Sequence, residues 1–442
     1  MFELIRANKR RSMILMIIML ALLLFVGFAI GFAIMPIYEP IYLGDAVLYM
    51  PIGGMIGLGI AFLIWGVQAV AAYSSGDRLL MAAAGAREIQ KRDHPRLFNV
   101  VEEMTLAAQL PKMPKVYIIE DMSLNAFAAG RDANHAAVAV TAGLLSKLNR
   151  DQLQGVIAHE IAHIANRDVL FMTMAGIMVG SIIMLTEVFL RMMWYSSLSG
   201  SRRYSSRRSS RSGNGKGQVV MMIVALVLAI VAPLLAQMLY FACSRRREYL
   251  ADAGGAVYTR YPEGLASALE VIAGNPGDKE SVSKATAPMY IVNPFEAGKR
   301  SLSALTSTHP PIEERVRILR GMGGGASFAD YASAWNNVGG RGAAHVPASA
   351  MAAAAAAPQA ARAASPPEAT TNAKAGPPGT TRQAEPTARE RQRETGDLLR
   401  RMHHYRFANC DCGIRMKVPK EYPKPKVKCV RCGKMLDVPK QA

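Results

Sequence analysis

Four long apolar stretches constrain this chain more than any other feature: Met13 to Met35, Val47 to Tyr73, Val169 to Leu190 and Val219 to Ala242. Crossing a bilayer as helix takes about 20 residues, and each stretch is long enough. Backbone inside hydrocarbon must satisfy its own hydrogen bonds, so an α-helical membrane protein is expected. The first stretch exceeds the roughly 7–15 apolar residues of a signal peptide and lacks a small-residue cleavage site, so it reads as a retained anchor. Arg6, Lys9, Arg10 and Arg11 precede it, whereas Glu39 and Asp45 follow it. By the positive-inside tendency the N-terminus faces the cytoplasm, and the second span returns the chain there.

The second hairpin obeys that tendency less well. Arg202, Arg203, Arg207, Arg208, Arg211 and Lys216 lie between the third and fourth stretches, and full crossing puts them on the far side. Glu187 also sits inside the third stretch, where lipid disfavours charge. Full crossing and a partly protein-packed or re-entrant hairpin are both open. Lysine and arginine outnumber aspartate and glutamate by 52 to 33, a formal charge of +19. In a soluble chain that points first to nucleic acid; beside four spans it fits basic flanks that meet anionic lipid.

The polar segments divide the rest. Residues 76–168 read as a compact domain with a helix near Pro95 to Ala107, a strand at Val116 to Glu120 and short apolar runs at Ala126 to Ala129 and Ala136 to Thr141. Asn149 with Gln152 forms a capping-box pattern, and the helix it opens runs through Leu153, Val156, Ile157, Ile161 and Ile164 into the third apolar stretch with little visible interruption. The expected organisation is a transmembrane hairpin (1–75), a first catalytic part (76–168), a second hairpin (169–242) and a second, mostly helical catalytic part (243–322). A disordered Ala/Pro/Gly-rich linker (323–400) and a cysteine-bearing tail (401–442) follow.

Within the predicted helix stands His159-Glu160-Ile161-Ala162-His163, an H-E-x-x-H pattern. Histidines at i and i+4 share a helical face, so their ring nitrogens can converge on one tetrahedral Zn²⁺. Glu160 then reaches a water at the metal rather than the metal itself, which suits hydrolysis of a peptide bond. A catalytic zinc needs a third protein ligand. Glu248 and Asp252, four apart in Arg247-Glu248-Tyr249-Leu250-Ala251-Asp252, can supply one metal ligand and one carboxylate that orients a ligand histidine. The blander reading of this pair is a charged helical face matched to Arg245, Arg246 and Arg247. Two apolar segments separate His163 from Glu248, and an even number of crossings returns the chain to the same side.

These motifs, with Asn125-Ala126-Phe127-Ala128-Ala129-Gly130, Val138-Ala139-Val140-Thr141, Asn166-Arg167-Asp168 and Thr308-His309-Pro310-Pro311 followed by Arg315, resemble the HtpX-like membrane zinc metallopeptidases. Those are gluzincins related to the CAAX prenyl endopeptidases, and the likeness spans roughly residues 1–322. The resemblance implies a mostly helical α+β zincin-type domain with a small mixed sheet. It implies His159, His163 and Glu248 as zinc ligands, Glu160 as general base and later proton donor, and Asp252 as the residue orienting a ligand. Arg315 would tie its element to the core. His309 would stabilise the oxyanion, or it is simply a residue at a helix N-terminus. Asn125 and the run Ala137, Val138, Ala139 and Val140, read as an edge strand, would take the substrate backbone by strand addition.

The tail departs from that family. Cys410-Asp411-Cys412-Gly413 and Cys429-Val430-Arg431-Cys432-Gly433 are separated by sixteen residues and resemble a small zinc ribbon with a second, structural Zn²⁺ on four thiolates. Its surrounding lysines suit an acidic protein, a lipid headgroup or nucleic acid, in that order. No G-x-x-x-x-G-K-[ST] loop is present, so no nucleotide is expected. The reading is an ATP-independent zinc endopeptidase of the cytoplasmic membrane, its active site facing the cytoplasm, acting on misfolded or membrane proteins in quality control and stress response. Two others stand beside it: a CAAX-type prenyl-protein endopeptidase, and a membrane-tethered adaptor that binds partners through the ribbon.

Overall fold

The computed structural model describes residues 2–35, 37–43, 46–199, 215–275, 310–338 and 385–439. Four helices in it are long and apolar enough to cross a membrane, through Met13–Ile34, Ile52–Ala71, Val169–Tyr195 and Met222–Leu239. The first two lie in α1 (Phe2–Ile34) and α2 (Ile52–Ala83), joined by a hairpin of β1 (Tyr38–Leu43) and β2 (Ala46–Pro51). The second span therefore starts later than the sequence suggested. Residues 47–51 pair as strand, and Pro51 stands at the helix N-cap.

Small residues bring α1 and α2 together. A Cβ added at Gly27 would meet Gly57 O at 2.8 Å, and one at Gly31 would meet Gly57 Cα at 2.7 Å. This is the small-xxx-small contact by which membrane helices pack backbone to backbone.

The other two spans belong to α6 (Val169–Ser199) and α7 (Gly215–Thr259). Glu187 lies eighteen residues from Val169, about 27 Å along the helix. There it faces Arg191 at 3.7 Å, with exposed Trp194 and Tyr195 just beyond. Arg202 to Arg211 lie outside the described residues.

Between the hairpins the chain builds β3 (Arg87–Glu88), α3 (Pro95–Ala107), β4 (Lys115–Ile119), β5 (Ala126–Gly130), β6 (Ala136–Thr141), α4 (Ala142–Lys147) and α5 (Arg150–Ala165). The strands form one mixed sheet in the order β3-β4-β6-β5, with β4 and β6 parallel and the other pairs antiparallel. Alternation of side chains divides its residues between two cores. Tyr117, Ile119, Phe127, Ala129, Ala137 and Ala139 join Leu80, Met81, Phe171 and Met172 beside the membrane helices. Val116, Ile118, Ala126, Ala128, Val138 and Val140 join α3 and α5.

The expected passage from α5 into the third span is broken. Asn166 caps α5, Arg167 takes φ 58°, and α6 begins only at Val169. The break turns Asp168 back, so that its N–H donates to His163 O at 3.0 Å.

The linker is also shorter than expected. After α8 (Pro262–Ala273) and α9 (Ile312–Gly321), α10 (Phe328–Asn337) opens with a Ser327–Asp330 capping box and buries Tyr331 and Trp335. Trp335 meets Tyr249 edge-on, ring centroids 4.3 Å apart. At the far end α11 (Ala388–Met402) packs against α4 and inserts Leu398 into the catalytic core. The rest of the expected linker, residues 339–384, lies outside the described residues. The tail forms two hairpins, β7 (Arg406–Asn409) with β8 (Arg415–Val418) and β9 (Lys426–Lys428) with β10 (Met435–Asp437).

Candidate active site

The site grows from α5. Its first turn is fixed by the capping box: Gln152 N–H donates to Asn149 Oδ1 at 2.8 Å and Asn149 N–H to Gln152 Oε1 at 3.1 Å. A third orphan donor, Arg150 N–H, is taken by Glu385 Oε1 at 2.7 Å, a carboxylate favoured at a helix N-terminus. From Gly155 to Ala165 every residue of the helix is buried. Gly155 lets the backbone of α8 approach so closely that a Cβ would stand 2.5 Å from Leu265 N. Gly254 and Gly255 do the same service on α7, against Ala162 and His159.

That close contact of α5 with α7 sets Glu248 across from both histidines. His159 Nε2 lies 3.4 Å from Glu248 Oε2, and His163 Nε2 lies 3.4 Å from Glu248 Oε1. All three ligand atoms fall within 4.8 Å of one another, and all three residues are buried. Zinc bonds of 2.0–2.1 Å in tetrahedral array hold donor atoms about 3.3 Å apart. The donor set, two imidazole nitrogens and a carboxylate oxygen, therefore fits zinc in kind and spacing.

Behind each histidine stands a carboxylate, and behind each carboxylate a buried arginine. His159 Nδ1 lies 2.9 Å from Asp252 Oδ1, and Arg315 donates to both oxygens of Asp252 at 2.7 and 2.8 Å. Arg315 also reaches Glu248 Oε2 at 3.7 Å. His163 Nδ1 lies 3.5 Å from Asp168 Oδ2, whose other oxygen is 3.6 Å from Arg247 Nε. Arg247 in turn stacks over the Phe171 ring at 3.8 Å. Such outer partners fix ring orientation and raise ligand basicity.

The electrostatics follow from this arrangement. Burial works to lower the pKa of both imidazoles, but the carboxylates outweigh it. Asp252 and Glu248 raise His159, and Asp168 with Glu248 and Glu160 raise His163 to about 10. A metal ion binding the imidazole nitrogens competes with protons for them. Burial alone would raise the Asp252 carboxyl; Arg315 and His159 hold it below its ordinary range instead.

Most of the expected residues are gathered here: His159, Glu160, His163, Glu248, Asp252 and Arg315 are all buried around one point. His309 lies outside the described residues. The expected edge strand is corrected. Ala137, Val138, Ala139 and Val140 belong to β6, which pairs with β4 on one side and β5 on the other, so its backbone has no free side. Asn125 N–H and O are both engaged with Thr141. The outer strands of the sheet among the described residues are β3 and β5; of these β5 is the one laid against α5, and it is buried along its length. Sequence reading gave Asp168 and Arg247 no role. The available signal was their place, one at the end of Asn166-Arg167-Asp168 and the other beside Glu248.

The tail holds the second cluster. Cys410 Sγ lies 3.4 Å from Cys432 Sγ and Cys412 Sγ 3.5 Å from Cys429 Sγ, all four within 4.8 Å. Gly413 and Gly433 take φ 83° and 76°, the left-handed turn that a β-carbon disfavours. Each knuckle closes with backbone bonds, Gly413 N–H to Cys410 O and Gly433 N–H to Cys429 O.

Residues 91–323 match Peptidase family M48. The Protease HtpX homolog of Dictyoglomus turgidum is 44% identical over 322 residues, 73% of this chain and 95% of its own. The Protease HtpX homolog of Streptococcus pyogenes serotype M28 is 37% identical over 322 residues, covering 73% of this chain and its own whole length. The chain belongs to peptidase family M48. It is an HtpX-like membrane zinc metalloprotease, and its His-His-Glu cluster has the make-up that a zinc-dependent peptidase requires.

Proposed function

We propose that the protein is an ATP-independent endopeptidase of the cytoplasmic membrane, open to the cytoplasm, that cuts misfolded or membrane-derived polypeptides in quality control. The single observation that carries this is the 3.4 Å spacing of Glu248 from both imidazole Nε2 atoms on a helix that also presents Glu160. His159, His163 and Glu248 would hold the zinc. Bound there, zinc supplies a Lewis acid that polarises the scissile carbonyl and acidifies a water beside it. Glu160 takes the proton of the attacking water and later delivers it to the leaving amine. Asp252 and Asp168 keep each imidazole turned with Nε2 inward, and His309 would donate to the developing oxyanion. In the tail, Cys410, Cys412, Cys429 and Cys432 would hold a structural zinc.

The test is zinc content and casein cleavage by detergent-purified full-length protein. Wild type is expected to carry two zinc ions per chain, one for each cluster. A Cys410→Ser/Cys429→Ser variant should keep one. Glu160→Gln should keep both and lose cleavage. Cleavage that survives Glu160→Gln refutes the mechanism.

A further inference from the structure

The tail lies beyond the peptidase match at residues 91–323, yet it is fastened to the peptidase core. Glu385 accepts from Arg150 N–H at 2.7 Å, Arg401 donates to Asp93 O at 3.0 Å, and Arg87 donates to Met402 O at 3.0 Å. His403 Nε2 lies 2.6 Å from Glu120 Oε2, and Leu398 is buried in the core itself. The helix passes this attachment on to the cysteine-bearing hairpins, because Asp397 of α11 stands 2.8 Å from Lys417 and 3.5 Å from Arg415 of β8. The tail is mounted on the catalytic domain through a docked helix.

Pairing across β9 and β10 sorts what the tail presents. Lys426 stands opposite Asp437 and Lys428 opposite Met435 on one side, with Val427 and Leu436 on the other. Lys426 also meets the Asp437 carboxylate at 3.8 Å, and Lys434 pairs with Asp411. Lys424, Lys428 and Arg431 are exposed and pair with no carboxylate among the described residues. Beside them Val430 is 80% exposed and Met435 54% exposed. Cations interleaved with exposed apolar side chains match an anionic chain that carries apolar groups of its own.

Two observations choose among anionic partners. Residues 423–439 contain no aromatic ring, and single-stranded nucleic acid binds by stacking its bases on such rings. Whatever this face holds is held on a peptidase core, where polypeptide is the partner that can be used. We infer that the second hairpin is an exosite for acidic segments of the substrate, which holds one part of a chain while another part enters the metal site. This rests on the protease reading and adds a recruitment step to it. Capture makes entry into the site intramolecular and raises the effective concentration of the cleavable segment, so it lowers KM and leaves kcat unchanged.

The test uses detergent-purified full-length protein and three soluble reporters with one identical unfolded segment. A spacer of about 40 Gly/Ser residues, roughly 35 Å in reach, joins that segment to an acidic, a neutral or a basic tract. At low salt KM for the acidic reporter is expected to lie about fivefold below that for the neutral one, and the difference should shrink above about 0.5 M salt. Lys424→Gln/Lys428→Gln/Arg431→Gln should erase the difference and still cut the neutral reporter. Lys424→Arg/Lys428→Arg, which keeps the charge, should keep the difference. Equal KM for the acidic and neutral reporters, or an acidic preference that survives the glutamine variant, overturns the exosite and leaves the protease reading intact. A single-stranded oligonucleotide or anionic vesicles that bind more tightly than the acidic reporter, and lose that binding in the glutamine variant, assign the face to nucleic acid or lipid and overturn it too. If wild type leaves the neutral reporter uncut, both readings fall together.

Discussion

Asp252 offers the sharpest test of how the site is held, because it serves two buried partners at once. One carboxylate accepts both bonds from a fully buried Arg315 and stands 2.9 Å from His159 Nδ1. Replacing it by leucine leaves the guanidinium buried with Glu248, 3.7 Å away, as the carboxylate still within reach. Breaking a buried pair from one side costs about 3–5 kcal/mol. The same change removes the acceptor that orients a zinc ligand, which costs roughly 10–100-fold in metal affinity. The two losses separate in the double variant Asp252→Leu/Arg315→Met. With neither charge present, stability should return to within about 1–2 kcal/mol of wild type, while zinc affinity stays low.

Removing Arg315 also takes a cation from beside Glu248, which strengthens that ligand, so the remaining zinc deficit is a lower bound. Unfolding in detergent with chelator present measures the first quantity, and zinc competition against a fluorescent chelator the second. If the double variant recovers zinc affinity along with stability, Asp252 is only a counter-ion and does not orient His159. The linkage has a definite sign. The Asp252 carboxyl is held below its ordinary range by Arg315 despite burial, so its contribution is complete at neutral pH and is lost as pH falls through that lowered value.

Three further outcomes follow from other parts of the molecule. His94 caps α3, its Nδ1 accepting from Leu97 N–H at 3.1 Å, and burial with the neighbouring Arg96 pushes its pKa down to about 4. The unfolded chain then binds a proton that the folded one refuses, so stability falls by about 3 kcal/mol between pH 6.5 and 4; melting curves of His94→Asn should be flatter over that window. Gly57→Leu has no space between α1 and α2, and overpacking of about 1–3 kcal/mol or more should lower the melting temperature in detergent. Leu398→Asp should release α11, read as faster hydrogen exchange throughout residues 388–402 with zinc retained at His159, His163 and Glu248.

What the sequence disclosed is what short-range rules govern. The spacing of His159 and His163 is a property of one helix, the Asn149–Gln152 box is a local pattern, and apolar length announces the spans. What it concealed depends on neighbours far along the chain. The run Ala136 to Thr141 has the composition of any small-residue strand, and nothing local says that β4 and β5 flank it on both sides. The reading of residues 323–400 as linker failed at Trp335 and Leu398 for a related reason. A few docking residues on a short helix leave little periodic signal, yet Tyr249 gives Trp335 and the α4 surface gives Leu398 a place to bury. The break at Arg167 escaped notice because a non-glycine residue at φ 58° has no mark in composition.

That break joins the metal site to the membrane. Asp168 immediately precedes α6 and faces His163, while Glu248 and Asp252 sit on α7, which continues from the fourth span without ending. Arg247 binds the two together, with Asp168 on one side and Phe171 of α6 on the other. The ligands therefore come from two directions: the histidines from the polar domain, the glutamate from a membrane helix. Neither half contains a complete site. Rotation of α7 by a single residue, about 100° at 3.6 residues per turn, would carry Glu248 off the face that meets His159 and His163. Zinc can be held only when the second hairpin is seated against α5 in this register, so binding of the metal reports assembly of the membrane helices. Metal binding and helix packing are thereby linked: whatever loosens α7 from α5 lowers zinc affinity, and zinc bound at His159, His163 and Glu248 stabilises the packed hairpin by the same amount.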